Sequence, residues 1–323
     1  MKAIVQDVYG SPDVLQLRET ERPVVTEDGV LVRVRAAGVN PADWHVMRGS
    51  PYVARLAFGL RKRKGTGLGL DFAGTVESVG GNVTQLQPGD EVFGSGDGAF
   101  AEYVSVREDR AVRKPANLTF EQAAAVPIGA VTALQALRDQ AHVQPGQTVL
   151  INGASGGVGT FAVQIAKSYG ARVTGVCSTR NVDMVRAIGA DAVIDYTNED
   201  FTRGELRYDL MLDIAGNRSW SECKRVLGPQ STYVAVGGSG TNPWIGPLSQ
   251  SVAVRFASMR DSRKVVTLFL AKVNKQDLLV LQELLEAGKI TSVIDRTYPL
   301  SEARDAIRYL EAGHARGKVV ITV

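Results

Sequence analysis

Residues 148–170, TVLINGASGGVGTFAVQIAKSYG, decide the fold. The stretch opens on Val149-Leu150-Ile151, a short apolar run of the kind that forms a buried parallel strand. It breaks into Gly153-Ala154-Ser155-Gly156-Gly157-Val158-Gly159, then resumes with Phe161, Val163, Ile165 and Ala166 at helical spacing. Strand, glycine-rich turn and helix in that order build a dinucleotide-binding βαβ unit. Small residues let the backbone approach a pyrophosphate, and the amides at the helix start face its charge. The spacing Ala154-x-Gly156-x-x-Gly159 lacks the usual first glycine, so the strand and helix around it carry the reading. A tight turn that binds nothing leaves the run of small residues before an amphipathic helix unexplained.

The composition bounds what such a unit belongs to. A chain of 323 residues suits about two domains, and 44% hydrophobic with 22% charged residues is ordinary globular composition. A net charge of +3 gives no argument for nucleic acid as a partner. No apolar run is long enough to span a bilayer, so no membrane association is expected. Met1-Lys2-Ala3-Ile4-Val5 leads straight into strand-like alternation with no signal-like apolar segment, and a cytoplasmic location is expected. Cys177 and Cys223 lack any CxxC neighbour and read as structural, reduced thiols.

Working outward, residues 1 to about 120 read as short strands (2–5, 15–19, 30–36, 72–79, 91–93 and 99–106) punctuated by turns such as Gly10-Ser11-Pro12 and Gly80-Gly81-Asn82. That pattern predicts a barrel-like β domain. Residues 51–69 stand apart: apolar and aromatic side chains, then Arg61-Lys62-Arg63-Lys64, then glycines, a loop or short helix beside a pocket. From Thr119 onward, helices (120–125, 130–138, 182–188, 219–227) alternate with strands (172–177, 192–195, 208–214, 231–236), which predicts a doubly wound parallel sheet. An amphipathic helix over 275–287, strands at 290–298 and 318–323 and a helix over 301–312 return to the style of the first domain. The expected division is 1–125 completed by 271–323, and 126–270.

The ordered motifs Ala36-Ala37-Gly38-Val39-Asn40-Pro41-Ala42-Asp43, Gly69-Leu70-Asp71-Phe72-Ala73-Gly74, Pro88-Gly89-Asp90-Glu91-Val92-Phe93-Gly94, Ala123-Ala124-Ala125-Val126-Pro127, the glycine loop and Gly317-Lys318-Val319-Val320 carry a resemblance over essentially the full length. The chain resembles the zinc-independent quinone oxidoreductase branch of the medium-chain dehydrogenase/reductase superfamily. The resemblance implies a GroES-like β-barrel domain and a Rossmann domain, with the active site in the cleft between them. It also implies a homodimer formed along the edge of the Rossmann sheet, for which residues 265–270 are the candidate strand.

A catalytic zinc needs about three protein ligands and an open position. Where zinc relatives carry a cysteine after the Ala-Gly-Val stretch, this chain has Asn40; where they carry Gly-His-Glu, it has Gly69-Leu70-Asp71. His45, His142 and His314 have no ligand-spaced neighbours, and two cysteines cannot form a four-cysteine lobe. No metal is expected. Without a Lewis acid the substrate must arrive activated, which fits a quinone or an α,β-unsaturated carbonyl (enone). The hydride belongs to the cofactor, and the protein supplies orientation and electrostatics.

NAD sites place a carboxylate at the end of the second strand to bond the ribose 2′-hydroxyl. Here that strand is followed by Ser178-Thr179-Arg180: two hydroxyls and a guanidinium, suited to a 2′-phosphate, so NADPH (NADP+) is the expected cofactor. Ala154, Ser155, Gly156, Gly157, Val158 and Gly159 form the expected pyrophosphate loop, and Gly237-Gly238 ends a strand where backbone could approach the nicotinamide ribose. The resemblance adds Tyr196 at the phosphate, Phe269 and Leu270 along the nicotinamide, and Lys318 near the cleft. Asn40, Asp43 and Thr132 line the substrate side; Asn40 bonds a ribose hydroxyl or substrate carbonyl unless it is a turn residue, and Asp43 alternatively caps a short helix. Tyr52 and water are the candidate proton donors. A metal-dependent alcohol dehydrogenase, a trans-acting enoyl reductase and a non-catalytic NADPH-binding protein remain alternatives.

Overall fold

Alternating apolar residues between turns give the N-terminal part its strands: β1 (Lys2–Val5), β2 (Gln16–Glu19), β3 (Gly29–Val39), β4 (Asp71–Val79), β5 (Glu91–Ser95), β6 (Tyr103–Arg107) and β7 (Ala111–Arg113). Helix α1 (Pro41–Arg48) follows β3, and α2 (Phe120–Ala124) and α3 (Pro127–Gln135) follow β7. The computed structural model describes residues 1–323 except 56–58, 60–66, 238–247, 260 and 268, and only the backbone of 54 and 248–250. Two units divide the chain, Met1–Val131 with Val273–Val323, and Thr132–Lys272.

The second unit comprises β8 (Thr148–Asn152), α4 (Gly159–Ser168), β9 (Arg172–Cys177), α5 (Val182–Ala187), β10 (Ala192–Asp195), β11 (Tyr208–Asp213), α6 (Trp220–Cys223), β12 (Leu227–Ala235), α7 (Leu248–Ala257) and β13 (Lys264–Val266). All its strand pairs are parallel, in the order β10-β9-β8-β11-β12-β13. That is the doubly wound order, with its reversal point between β8 and β11. Val149, Leu150 and Ile151 on β8 are fully buried, as a central strand covered on both faces requires. β13 is shorter than the expected 265–270 segment, and Phe269 and Leu270 lie beyond its end. The residues expected to close a helix over 219–227 instead split: α6 ends at Cys223, a 3₁₀ turn follows, and Leu227 already begins β12.

The chain then returns to the first unit with α8 (Lys275–Glu286), β14 (Ile294–Pro299), α9 (Ala303–Glu311) and β15 (Lys318–Thr322). The main sheet there runs β14-β15-β3-β4-β5-β7, with β6 also on β3. The expected GroES-like β domain is present; among the described residues its strand path ends at β14 and β7, which do not pair with each other. The long β3 divides one edge between two partners, its residues 29–33 facing β6 and 36–39 facing β15. Val32, Val34, Phe72, Val92, Phe100, Val319 and Ile321 form one buried cluster beneath it. Replacing the fully buried Phe93 of β5 by alanine should destabilise this unit by about 3–5 kcal/mol, read as a lower midpoint in urea denaturation.

Candidate active site

Strand register builds the first polar cluster. β15, β3 and β4 are neighbours, with Val319 opposite Val39 and Gly38 opposite Asp71. Lys318, Asn40 and Asp71 therefore meet at one end of the three strands. The Lys318 ammonium donates to Asn40 Oδ1 at 2.5 Å and lies 3.6 Å from Asp71 Oδ2. Asn40 Nδ2 donates to Asp71 Oδ2 at 2.9 Å and to the Gly38 carbonyl at 3.3 Å. The Asp71 carboxylate also accepts from the Ile128 amide at the start of α3, where the helix dipole favours a negative charge. Lys318 is 2% exposed and Asp71 0%.

Burial raises the Asp71 carboxyl to about 6, against the opposing pull of Lys318, Asn40 and Ile128. Burial likewise pushes the Lys318 ammonium below its ordinary range, with Asp71 and then Asp43 resisting the shift. Asp43, also buried, accepts from the Asn40 amide at 2.7 Å, so its helix-capping role is realised while its charge still reaches Lys318. Both Asn40 amide hydrogens are engaged, on Asp71 and Gly38. The amide oxygen keeps one lone pair beyond Lys318 and can accept a hydroxyl, whereas donation to a substrate carbonyl, one of its two expected roles, has no hydrogen left.

In the sequence Asp71 stands out only as a carboxylate without an imidazole partner. Its Gly69-Leu70-Asp71 context was the available signal; its coupling to Lys318 depends on a contact between residues 247 positions apart. Tyr52 stands differently: it is 40% exposed, and the Arg55 guanidinium lies 4.4 Å over its ring. Phe58, Leu60 and Arg61–Lys64 of the expected pocket wall lie outside the described residues.

In the second unit the loop after β8 leaves the carboxyl end of the sheet, where open α/β sheets bind ligands. Ala154 is buried beneath it, while Ser155, Gly156, Gly157 and Val158 are partly exposed. A Cβ on Gly159 would meet the Gly153 carbonyl at 2.1 Å, so only glycine lets α4 start this close to the strand end. A Cβ at Gly156 would meet nothing nearer than 3.6 Å, leaving space at the mouth of the loop. Gly237 has a local reason to be glycine: a Cβ there would lie 2.2 Å from the Ile214 carbonyl. Gly238 lies outside the described residues. Thr132 on α3 is half-buried, and Leu270 is exposed.

Sequence reading missed a second buried carboxylate, Asp213 at the end of β11. It accepts from Asn152 Nδ2 at 2.8 Å, the Gly216 amide at 2.9 Å and the Tyr233 hydroxyl at 2.6 Å, joining the ends of β8, β11 and β12. Burial raises its carboxyl above the ordinary range despite those donors.

At the end of β9, Ser178, Thr179 and Arg180 follow as expected, and the exposed Thr179 has its hydroxyl hydrogen engaged within the chain. Its hydroxyl donates to Asp195 Oδ2 at 2.6 Å, because β10 pairs Asp195 opposite Cys177. Asp195 also accepts from the Thr197 amide and hydroxyl and from Asn198 Nδ2. These donors, Thr179 foremost, hold its carboxyl below the usual range. Four hydrogen bonds occupy the four acceptor positions of a carboxylate. The acid nearest the second strand therefore has no capacity left for a ribose 2′-hydroxyl, while Ser178 and exposed Arg180 and Tyr196 flank the same strand end. The loop, the open space at Gly156 and this polar set fit a phosphorylated dinucleotide.

The first-unit donor set does not fit a catalytic zinc. An ammonium already sits on Asn40 Oδ1 beside Asp71, and among the described residues no three His, Cys, Asp or Glu side chains group so as to hold a metal ion.

A doubly wound sheet with this loop, joined in one chain to a β unit with a buried polar cluster, defines a nicotinamide-dependent dehydrogenase or reductase. Residues 26–116 match the model of the alcohol dehydrogenase GroES-like domain and residues 188–321 that of the zinc-binding dehydrogenase domain. The mouse NAD(P)H oxidoreductase RTN4IP1, mitochondrial, is 34% identical over 362 residues, covering 100% of this chain and 89% of its own. The NADPH-dependent alkenal/one oxidoreductase, chloroplastic, of Arabidopsis thaliana is 34% identical over 340 residues, covering 99% and 79%. The quinone oxidoreductase from Coxiella burnetii superposes with a TM-score of 0.88 at 34% identity, covering 100% of this chain and 99% of that one. The chain belongs to the quinone oxidoreductase-like branch of the medium-chain dehydrogenase/reductase superfamily.

Removing one partner of a buried ion pair leaves the other charge unpaired. Lys318→Met should cost about 3–5 kcal/mol at pH 8 by that mechanism. A carboxyl whose folded value is raised is most favourable when protonated and loses that contribution as pH rises through the folded value. Without Lys318 the Asp71 carboxyl rises further above about 6, so the loss should shrink as pH falls from 8 to 5. The double variant Lys318→Met/Asp71→Asn should recover most of the stability at pH 8. Urea denaturation midpoints at the two pH values check all three outcomes.

Proposed function

We propose that the protein is an NADPH-dependent, zinc-independent reductase of quinones and α,β-unsaturated carbonyls. The observation that carries this reading is the Lys318 ammonium held among Asn40, Asp43 and Asp71, where metal-dependent relatives would need ligands. NADPH, when bound, supplies the hydride. Residues 154–159, Ser178, Arg180 and Tyr196 hold its phosphates, and Thr132, Gly237, Gly238, Phe269 and Leu270 contact its nicotinamide half. Asn40, its amide fixed by Asp71 and Lys318, accepts a hydroxyl and keeps that group in one orientation.

A quinone or enone needs no Lewis acid to accept hydride, because the resulting hydroquinone anion or enolate is delocalised. The buried Lys318 charge favours such an anion electrostatically. Asp43 keeps the Asn40 backbone in place, so both act on one geometry. Water, or Tyr52 from its exposed loop, completes the reaction by delivering the proton. The names of the Arabidopsis and Coxiella proteins, an alkenal/one oxidoreductase and a quinone oxidoreductase, support the substrate class. We further propose a homodimer through the free edge of β13, and a reducing compartment such as the cytoplasm for the two buried free thiols.

Purified protein should oxidise NADPH with 9,10-phenanthrenequinone, 1,4-benzoquinone or simple enones, with kcat/KM at least tenfold higher than with NADH and no loss in the presence of a chelator. Preference for NADH, or activity abolished by metal removal and restored by zinc, would overturn the reading. Tyr52→Phe should retain at least a tenth of the wild-type rate; a fall of several orders of magnitude would make Tyr52 the acid.

A further inference from the structure

Asn181 belongs to no motif and lies beneath the cofactor site proposed above, on which this inference rests. It is 4% exposed and sits between two loops. Its Nδ2 donates to Ser155 Oγ in the glycine loop at 3.1 Å and to Ser178 Oγ after β9 at 3.2 Å. Its backbone amide donates to the Ser178 carbonyl at 2.9 Å. Its Oδ1 is buried and has no hydrogen-bond partner among the described residues.

A hydroxyl carries one hydrogen and two acceptor positions. Asn181 fills an acceptor position on each serine, which frees each serine's own hydrogen to be donated elsewhere. Sharing one nitrogen also places the two hydroxyl oxygens within about 6 Å of each other, a separation that one phosphate group spans with a hydrogen bond to each. Thr179, the third hydroxyl here, is committed to Asp195. Of the Ser and Thr hydroxyls beside Arg180, the two left to donate are thus those that Asn181 sets.

We propose that Asn181 is a positioning residue that presents the Ser155 and Ser178 hydroxyls as paired donors to the adenosine 2′-phosphate, and so sets the preference for NADPH over NADH. A ribose 2′-hydroxyl, with a single hydrogen and no charge, makes only ordinary hydrogen bonds with the two serines, whereas a phosphate dianion accepts a charge-assisted bond from each. An aspartate at 181 would have to accept from the serines, turning their hydrogens inward and adding a negative charge.

Calorimetry on cofactor-free protein with 2′,5′-ADP and with 5′-AMP tests this without turnover. Asn181→Asp should weaken 2′,5′-ADP by about 10- to 100-fold and change 5′-AMP by less than threefold. Ser178→Ala, which leaves the buried amide in place, should weaken 2′,5′-ADP selectively by about fivefold, and adding Asn181→Ala to it should cost less than Asn181→Ala does alone. Parallel loss of both ligands in Asn181→Asp, or Ser178→Ala binding 2′,5′-ADP like wild type, would overturn the proposal, the second even if Asn181→Asp does not fold. Wild-type protein that does not prefer 2′,5′-ADP to 5′-AMP would instead overturn the NADPH reading itself.

Discussion

A buried ammonium needs a carboxylate, and that need organises the first unit. Lys318 and Asp71 come from opposite ends of the chain, and neither charge is tolerable in the interior without the other. The requirement explains why the C-terminal segment returns to the N-terminal sheet: β15 must lie against β3 for Lys318 to reach Asn40 and Asp71. Apolar burial by Val319, Val320 and Ile321 drives that docking, and the polar contacts fix its register. A slip of one residue would send Lys318 to the other face of the sheet and leave Asp71 alone.

The second unit meets a different demand, a strongly anionic ligand at the carboxyl ends of its strands. The ends of parallel strands expose amides and loops there, and the chain spends Asp213 on tying three of those ends together. With the strand ends fixed, the glycine loop departs from a rigid base. The close approach of Gly159 to Gly153 is made at the end of β8, a central strand paired on both sides by β9 and β11.

Local signals made much of this legible. The apolar run Val149-Leu150-Ile151 and the glycines after it needed no tertiary information, because a central parallel strand and its turn are written in consecutive residues. Asn40, Asp43 and Lys318 were singled out from the sequence, and the structure brings the three together. What could not be read was pairing across distance. Asp71 with Lys318, Asp195 with Thr179, and Asn181 with two serines all depend on strand register or loop approach. The strand partners within the β domain were hidden for a related reason: strand count and turn spacing do not say which strands of a sheet meet.

One pattern joins the two units. Asp71, Asp195 and Asp213 each lie at the end of a strand near a candidate ligand surface, and each has its oxygens engaged by the chain's own donors. Carboxylates satisfied internally offer few acceptors to a ligand, whereas the groups left facing outward are hydroxyl hydrogens, loop amides and cations. The surfaces are thereby biased toward anions, with no large net charge on the protein as a whole. Such a bias suits a phosphorylated cofactor and any substrate that becomes negative on accepting hydride. Electrostatic preorganisation of this kind costs no reorganisation when charge develops, because the donors are already held in place, by Asp71 at Asn40 and Lys318 and by Asn181 at the two serines.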